Sequence, residues 1–321
     1  MSLIEVDRLA VALDGEGGTL RLVREVSFTI EQGETLGIVG ESGSGKSMTA
    51  LAIMGLLPRG ATASGRIVLD GEDLLAAGEA RLCALRGDRI AMIFQEPMTS
   101  LNPVHRIGDQ VAETLVLHRA MTRGQARREA VGLLDRVGLA QAASRALAYP
   151  HELSGGQRQR AMIAIALACR PALLIADEPT SALDVTVQAQ IVRLLRDLAG
   201  EIGMALLLIS HDLGVIGQLA DRVQVMYGGR IVEAGTTRDV FRRRAHPYTQ
   251  GLFAAVPTRA ARKGRRLVAI PGVVPSPEQL PPGCPFYGRC PKGVERCLSD
   301  PPAVAIDKGH HARCFFAEAA P

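Results

Sequence analysis

Tryptophan is absent from the 321 residues and aromatics make up only 3 %, so the core must be aliphatic. The same scarcity argues against an aromatic platform for stacking single-stranded bases. Lysine is also rare: Lys46, Lys263, Lys292 and Lys308 stand alone among 37 basic residues, the rest being arginine. No apolar run reaches the roughly 18–20 residues that span a bilayer; the longest candidate, residues 161–176, is broken by Arg170 and Pro171. The opening residues, MSLIEVDRLAV, carry early acids and lack the basic-then-apolar layout of an export signal. These absences predict a soluble, cytoplasmic chain that meets a membrane only through a partner.

The net charge of +4 is a mild excess. Its clusters at Arg242–Arg244 and 262–266 read either as contacts for phosphate or lipid head groups or as simply solvated runs. Cys83 and Cys169 sit singly in helical or apolar stretches and read as core residues. Cys284, Cys290, Cys297 and Cys314 crowd the last 38 residues with spacing C-x5-C-x6-C-x16-C. In a cytoplasmic protein such crowding reads as metal before disulfide, although the spacing lacks the paired C-x2-C of common zinc sites.

Residues 3–39 alternate apolar and polar in short runs and predict three strands, the last, ETLGIVG, buried. A helix follows through SMTALAIMGLL, then strands at GRIVLDG and RIAMIFQ. Between Gln95 and Gly155 the periodicity is helical. Strand–helix alternation resumes at ALLIAD and continues through QAQIVRLLRDLAGEIG to ALLLIS, which predicts an α/β domain with a mostly parallel sheet and an inserted helical segment. After about residue 236 the chain turns Pro- and Arg-rich, and an irregular appendage is expected there. No internal repeat is present.

Three motifs carry chemistry. GESGSGKS at 40–47, between a strand and a helix, fits G-x-x-x-x-G-K-[ST]. Gly40, Gly43 and Gly45 let the backbone curl so that N–H groups meet phosphate oxygens, and Ser42, Ser44 and Met48 complete the loop and first helical turn. Lys46 is expected to reach the β- and γ-phosphates and Ser47 to ligate Mg²⁺. In LLIADEP, Asp177 ends an apolar strand, where a carboxylate can hold Mg²⁺, and Glu178 is placed to polarise the attacking water. In LSGGQ, Ser154 reads as the N-cap of the helix through QRQRAMIAIALAC, and Gly155, Gly156 and Gln157 make its start a second anion site.

Together with SALD at 181–184 and His211 after ALLLIS, these motifs resemble the ATP-binding cassette (ABC) ATPases over about residues 3–235. The resemblance implies an α/β P-loop NTPase (RecA-like) core at 1–95 and 161–236 with an antiparallel β subdomain, a helical subdomain at 96–160, and an extension at 237–321. It implies that Gln95 senses Mg²⁺ and the transporter partner, that SALD crosses between subunits, and that His211 contacts the γ-phosphate. It also implies that LSGGQ closes over ATP held by a second ATPase subunit, a copy or a paralogue. One departure stands out: Phe28 is the only aromatic before Gly40 and lies in a strand, so adenine recognition falls to an aliphatic or Arg side chain from residues 13–24.

QEPMTSLNP at 95–103, HPYTQGL at 246–252 and GCPFYGRCPKGVERC at 283–297 resemble oligopeptide and dipeptide importers in particular. That implies two transmembrane permease subunits, an extracytoplasmic substrate-binding protein acting indirectly, and a place on the cytoplasmic face of the membrane. Nickel, glutathione or antimicrobial peptides are the alternative cargoes. A soluble ATPase working on nucleic acid or ribosomes is the alternative class. Some members carry a [4Fe–4S] cluster on the four tail cysteines; zinc, with His310 or His311 in place of a thiolate, and no metal at all are the other readings.

Overall fold

The structure, a computed structural model, describes residues 2–15, 18–96, 100–181, 183–256 and 269–317. The basic run 262–266 and residues 97–99 of QEPMTSLNP lie outside them. In chain order the elements are β1 (Ser2–Gly15), β2 (Gly18–Glu31), β3 (Thr35–Val39), α1 (Lys46–Met54), β4 (Ala61–Leu69), β5 (Glu72–Asp73), α2 (Glu79–Leu85) and β6 (Ile90–Ile93). Helices α3 (Ile107–Arg119), α4 (Arg123–Arg136), α5 (Ala142–Arg145) and α6 (Gly155–Leu167) come next. Then follow β7 (Leu173–Asp177), α7 (Val185–Ile202), β8 (Ala205–Ser210), α8 (Leu213–Leu219), β9 (Arg222–Tyr227), β10 (Arg230–Thr236), α9 (Thr237–Arg243), α10 (Pro247–Ala255), β11 (Ala303–Asp307) and β12 (His310–Arg313).

The chain divides into two compact units. The first comprises Met1–Leu3, Ile30–Glu34 and Ala76–Ile209. In it β6, β7 and β8 run parallel, with Ile90 opposite Leu173 and Asp177 opposite Ile209. Every residue of β7 and β8 is buried, which is why LLIAD and ALLLIS read as unbroken apolar runs rather than alternating ones. Helix α7 buries Ile191, Val192, Leu195, Leu198 and Ala199 along one stripe, begins on the Asp184 cap and ends at Gly203 with φ 68°.

The second unit comprises Ile4–Thr29, Thr35–Leu75 and Ser210–Pro321. Its antiparallel sheet has the order β2-β1-β4-β5. Strand β3 pairs in parallel with β9, and β9, β10, β12 and β11 continue antiparallel from there. The tail is largely irregular, as expected: residues 269–302 carry only short 3-10 turns, while α9, α10 and the β11–β12 hairpin are its regular elements, β12 adding to the edge of β10 at Glu233–Ala312 and Ala234–His311. One sequence expectation is corrected. Cys83 is exposed, since short α2 buries only Leu85; Cys169 is buried as expected.

Candidate nucleotide site

Close backbone approaches shape the loop after β3. A Cβ on Gly40 would stand 2.1 Å from the carbonyl oxygen of Met226, and one on Gly45, at φ 105°, would stand 2.9 Å from that of Leu22. Only glycine fits at either place. The Gly229 N–H donates to the Ser44 carbonyl at 3.0 Å, fastening the loop to the β9–β10 turn. Helix α1 starts on Gly45 without a capping side chain, leaving its positive end available to an anion. The ammonium of Lys46, a residue only 4 % exposed, donates to the carbonyls of Gly40 at 2.8 Å and Glu41 at 2.9 Å. Ser44 is buried, Ser47 and Met48 are half-buried, and Ser42 and Gly43 face solvent.

In the first unit, Asp177 ends β7 and is buried. Glu178 follows at φ 47°, a left-handed conformation that costs a non-glycine residue of order 1 kcal/mol or more. It is held there by its N–H on the Ile209 carbonyl at 2.9 Å and by the Ser181 N–H on its own carbonyl at 3.1 Å. Gln95 Nε2 donates to Glu178 Oε2 at 3.3 Å, and Ser181 Oγ donates to the Gln95 carbonyl at 3.0 Å. The fold thus gathers Gln95, Glu178 and the start of SALD. Ser154 Oγ accepts from the Gln157 N–H and Gln157 Oε1 from the Ser154 N–H, a reciprocal cap on α6. A Cβ on Gly156 would meet Val187 of α7 at 2.9 Å, so packing within this unit demands that glycine. In the second unit His211 follows β8 and is exposed, ahead of Asp212, which caps α8. Phe28 is buried, as its strand position predicts.

The tail meets the phosphate loop directly. Arg289, 6 % exposed in its side chain, donates through both terminal nitrogens to the Glu41 carboxylate at 2.7 and 3.1 Å. The Glu41 N–H donates to Tyr248 Oη at 2.8 Å. Tyr227, Tyr248 and Phe286 form a buried ring cluster beneath these contacts. Glu233, 1 % exposed, accepts from the Ala245 and His246 N–H groups, both at 2.9 Å, and lies 2.9 Å from His310 Nε2.

Cys284, Cys290, Cys297 and Cys314 line one enclosed cavity of about 10 Å³ with His246 and Phe315, room for about one water-sized atom. His246 Nδ1 accepts the Tyr248 N–H at 3.0 Å, which places the proton of the neutral ring on Nε2. That Nε2 is buried without a hydrogen-bond partner, and burial pushes the ring pKa down to about 3. Burial pushes the Cys284 thiol up to about 11 and raises those of Cys290 and Cys314, with the neighbouring sulfurs adding to the shift at each. Among the described residues no group of three or more His, Cys, Asp or Glu side chains is placed to hold a metal ion. The donor types are those of the expected [4Fe–4S] or zinc site, but as the side chains are placed they do not form one. His310 is engaged by Glu233 instead.

Sequence reading missed Glu41, Arg289 and Tyr248. A signal was present: of seven Phe and four Tyr, only Phe28, Phe94 and Tyr149 precede residue 227, so the few aromatics concentrate where the tail packs.

Residues 23–181 match the ABC transporter family model, and residues 232–297 match the C-terminal region of oligopeptide/dipeptide transporters. The oligopeptide transport ATP-binding protein OppD of Salmonella typhimurium is 50 % identical over 98 % of this chain and 93 % of its own. AppD of Bacillus subtilis, also an oligopeptide transport ATP-binding protein, is 48 % identical over 99 % and 97 %. Among solved structures, the dimeric post-hydrolysis state of the ATP-binding cassette MJ0796 with ADP and Pi aligns at TM-score 0.67 and 29 % identity, covering 73 % of this chain and 99 % of that one. The loop around Lys46, the Gln95–Glu178 cluster, the capped LSGGQ helix and these matches together make this chain a member of the ABC transporter ATPases, in the branch that carries the oligopeptide/dipeptide C-terminal region.

Proposed function

We propose that this chain is the ATP-hydrolysing subunit of a peptide importer, working at the cytoplasmic face of a membrane with a second ATPase subunit and two permease subunits. The observation that carries the reading is the Lys46 ammonium, buried and ringed by loop carbonyls at the start of α1. Among the described residues no helix is long and apolar enough to cross a membrane, which fits a pore made by separate chains. The names of the relatives and the match at 232–297 support peptides as cargo.

In this reading Lys46 and the N–H groups at the start of α1 hold the β- and γ-phosphates. Ser47, Gln95 and Asp177 would hold Mg²⁺, which when bound offsets charge on the phosphate oxygens. Glu178 takes a proton from the attacking water, with Gln95 fixing its carboxylate. His211 contacts the γ-phosphate, and Ser154, Gly155, Gly156 and Gln157 close over nucleotide held by the other subunit. Glu178→Gln should bind ATP and dimerise in it, while phosphate release falls by about 10²–10⁴-fold. Sedimentation with ATP and a phosphate assay measure both; full hydrolysis by that variant would refute the assignment. Peptide-stimulated ATPase activity of the membrane assembly tests the cargo.

The four-thiol cavity favours a second, separate reading, a bound metal, on two grounds: four sulfurs line one cavity, and the unpaired Nε2 of His246 belongs to a residue lining it. Metal and sulfide analysis of anaerobically purified protein decides; absence of both iron and zinc ends this reading.

A further inference from the structure

We propose that the C-terminal extension is part of the nucleotide site, with Arg289 and Tyr248 as positioning residues that hold the phosphate loop through Glu41. The proposal rests on the reading that loop 40–47 binds ATP.

Glu41 is the second residue of that loop, and it is fixed at three points. Its carbonyl accepts from Lys46 Nζ, its N–H is held by Tyr248 Oη, and its carboxylate is held at both oxygens by Arg289. Two of the three anchors come from the extension, 207 and 248 residues away in sequence. All these residues lie in the same compact unit. Arg289 is itself fully engaged. Nε donates to the Pro271 carbonyl at 2.8 Å, one terminal nitrogen also reaches Tyr227 Oη at 3.2 Å, and the other also reaches the Gly272 carbonyl at 3.4 Å. A planar fork so anchored sets geometry as well as charge, which a lysine could not reproduce.

Charge gives the contact a functional meaning. A carboxylate in a loop that must receive a polyanion opposes binding unless it is neutralised nearby. Arg289 supplies that neutralisation from a buried position, where screening by salt is weak. Removing it therefore loosens the loop and bares a negative charge beside the phosphates. The Lys46 ammonium, which shares the Glu41 carbonyl, loses its fixed position at the same time.

The test is titration of the purified full-length chain with a fluorescent ATP analogue, with melting temperature followed in parallel. Lys46→Ala should abolish binding; if it does not, the ATP reading itself fails. With that control in place, Arg289→Met should weaken binding by about tenfold, equivalent to about 1.4 kcal/mol. Tyr248→Phe keeps the ring packing and removes only the acceptor, so it should weaken binding about threefold. Glu41→Gln sits at the partly exposed end of the pair and guards against a folding failure of the Arg289 variant. In the Glu41→Gln background, Arg289→Met should cause little further loss of affinity. Arg289→Lys should recover only part of what Arg289→Met loses. Variants that lower melting temperature but leave affinity unchanged would overturn the proposal, as would strictly additive effects of the Glu41 and Arg289 substitutions.

Discussion

Single atoms set the limits on the phosphate loop. At Gly40 a methyl group would sit 2.1 Å from a main-chain oxygen on β9, and a strand carbonyl cannot step aside as a side chain can. Gly40→Ala should therefore lose nucleotide binding outright, whereas an alanine at Gly155, whose nearest neighbour would be Leu183 at 3.8 Å, should fold normally and leave stability within about 0.5 kcal/mol of the parent. Thermal unfolding with analogue binding separates the two. The pattern G-x-x-x-x-G-K-S makes the glycines legible in sequence, but not their reasons. Gly40 and Gly45 answer to backbone from β9 and β2, and Gly156 answers to Val187. Glu41 was illegible for the opposite cause: its motif position is an unconstrained x, and its partner lies 248 residues on.

At the scale of elements, the local rules read well where local physics decides. Ser154 caps α6 and Asp184 caps α7 because short polar side chains can accept the orphan N–H groups of a first turn. Ser154→Ala should cost about 1 kcal/mol of stability, visible as a lower denaturant midpoint. The apolar strands β3, β7 and β8 were readable because burial on both faces leaves no polar positions. The tail strands were not, since AVAID and HHAR carry little strand signal of their own and form by docking on β10. Glu233 is the joint between that strand, the α9–α10 turn and β12. Glu233→Ala would leave two buried groups and one part-buried group without their acceptor and should destabilise the protein by about 3 kcal/mol, measured by chemical denaturation of the variant against its parent.

At the scale of the whole molecule, the chain returns to its second unit after leaving it, so residues 35–75 and 210–321 fold as neighbours. The phosphate loop and its braces lie inside that unit, while Gln95, Ser154, Asp177 and Glu178 belong to the first. Binding to the loop should therefore protect amides well beyond it. Hydrogen exchange with and without an ATP analogue should show slowed exchange at 40–54 and also at 246–250 and 286–290. Protection confined to 40–54 would mean that the tail and loop do not act together.

The distance between Glu41 and Arg289 along the chain also sets an order in time. A ribosome that has just made the loop must add 248 residues before the guanidinium exists, roughly 12–50 s of elongation. Until then Glu41 lacks its countercharge and the tyrosine that fixes its amide. The nucleotide loop is thus synthesised long before its braces are in place. A nascent chain stalled before residue 248 should bind an ATP analogue poorly, and one that has released residue 289 should bind it well.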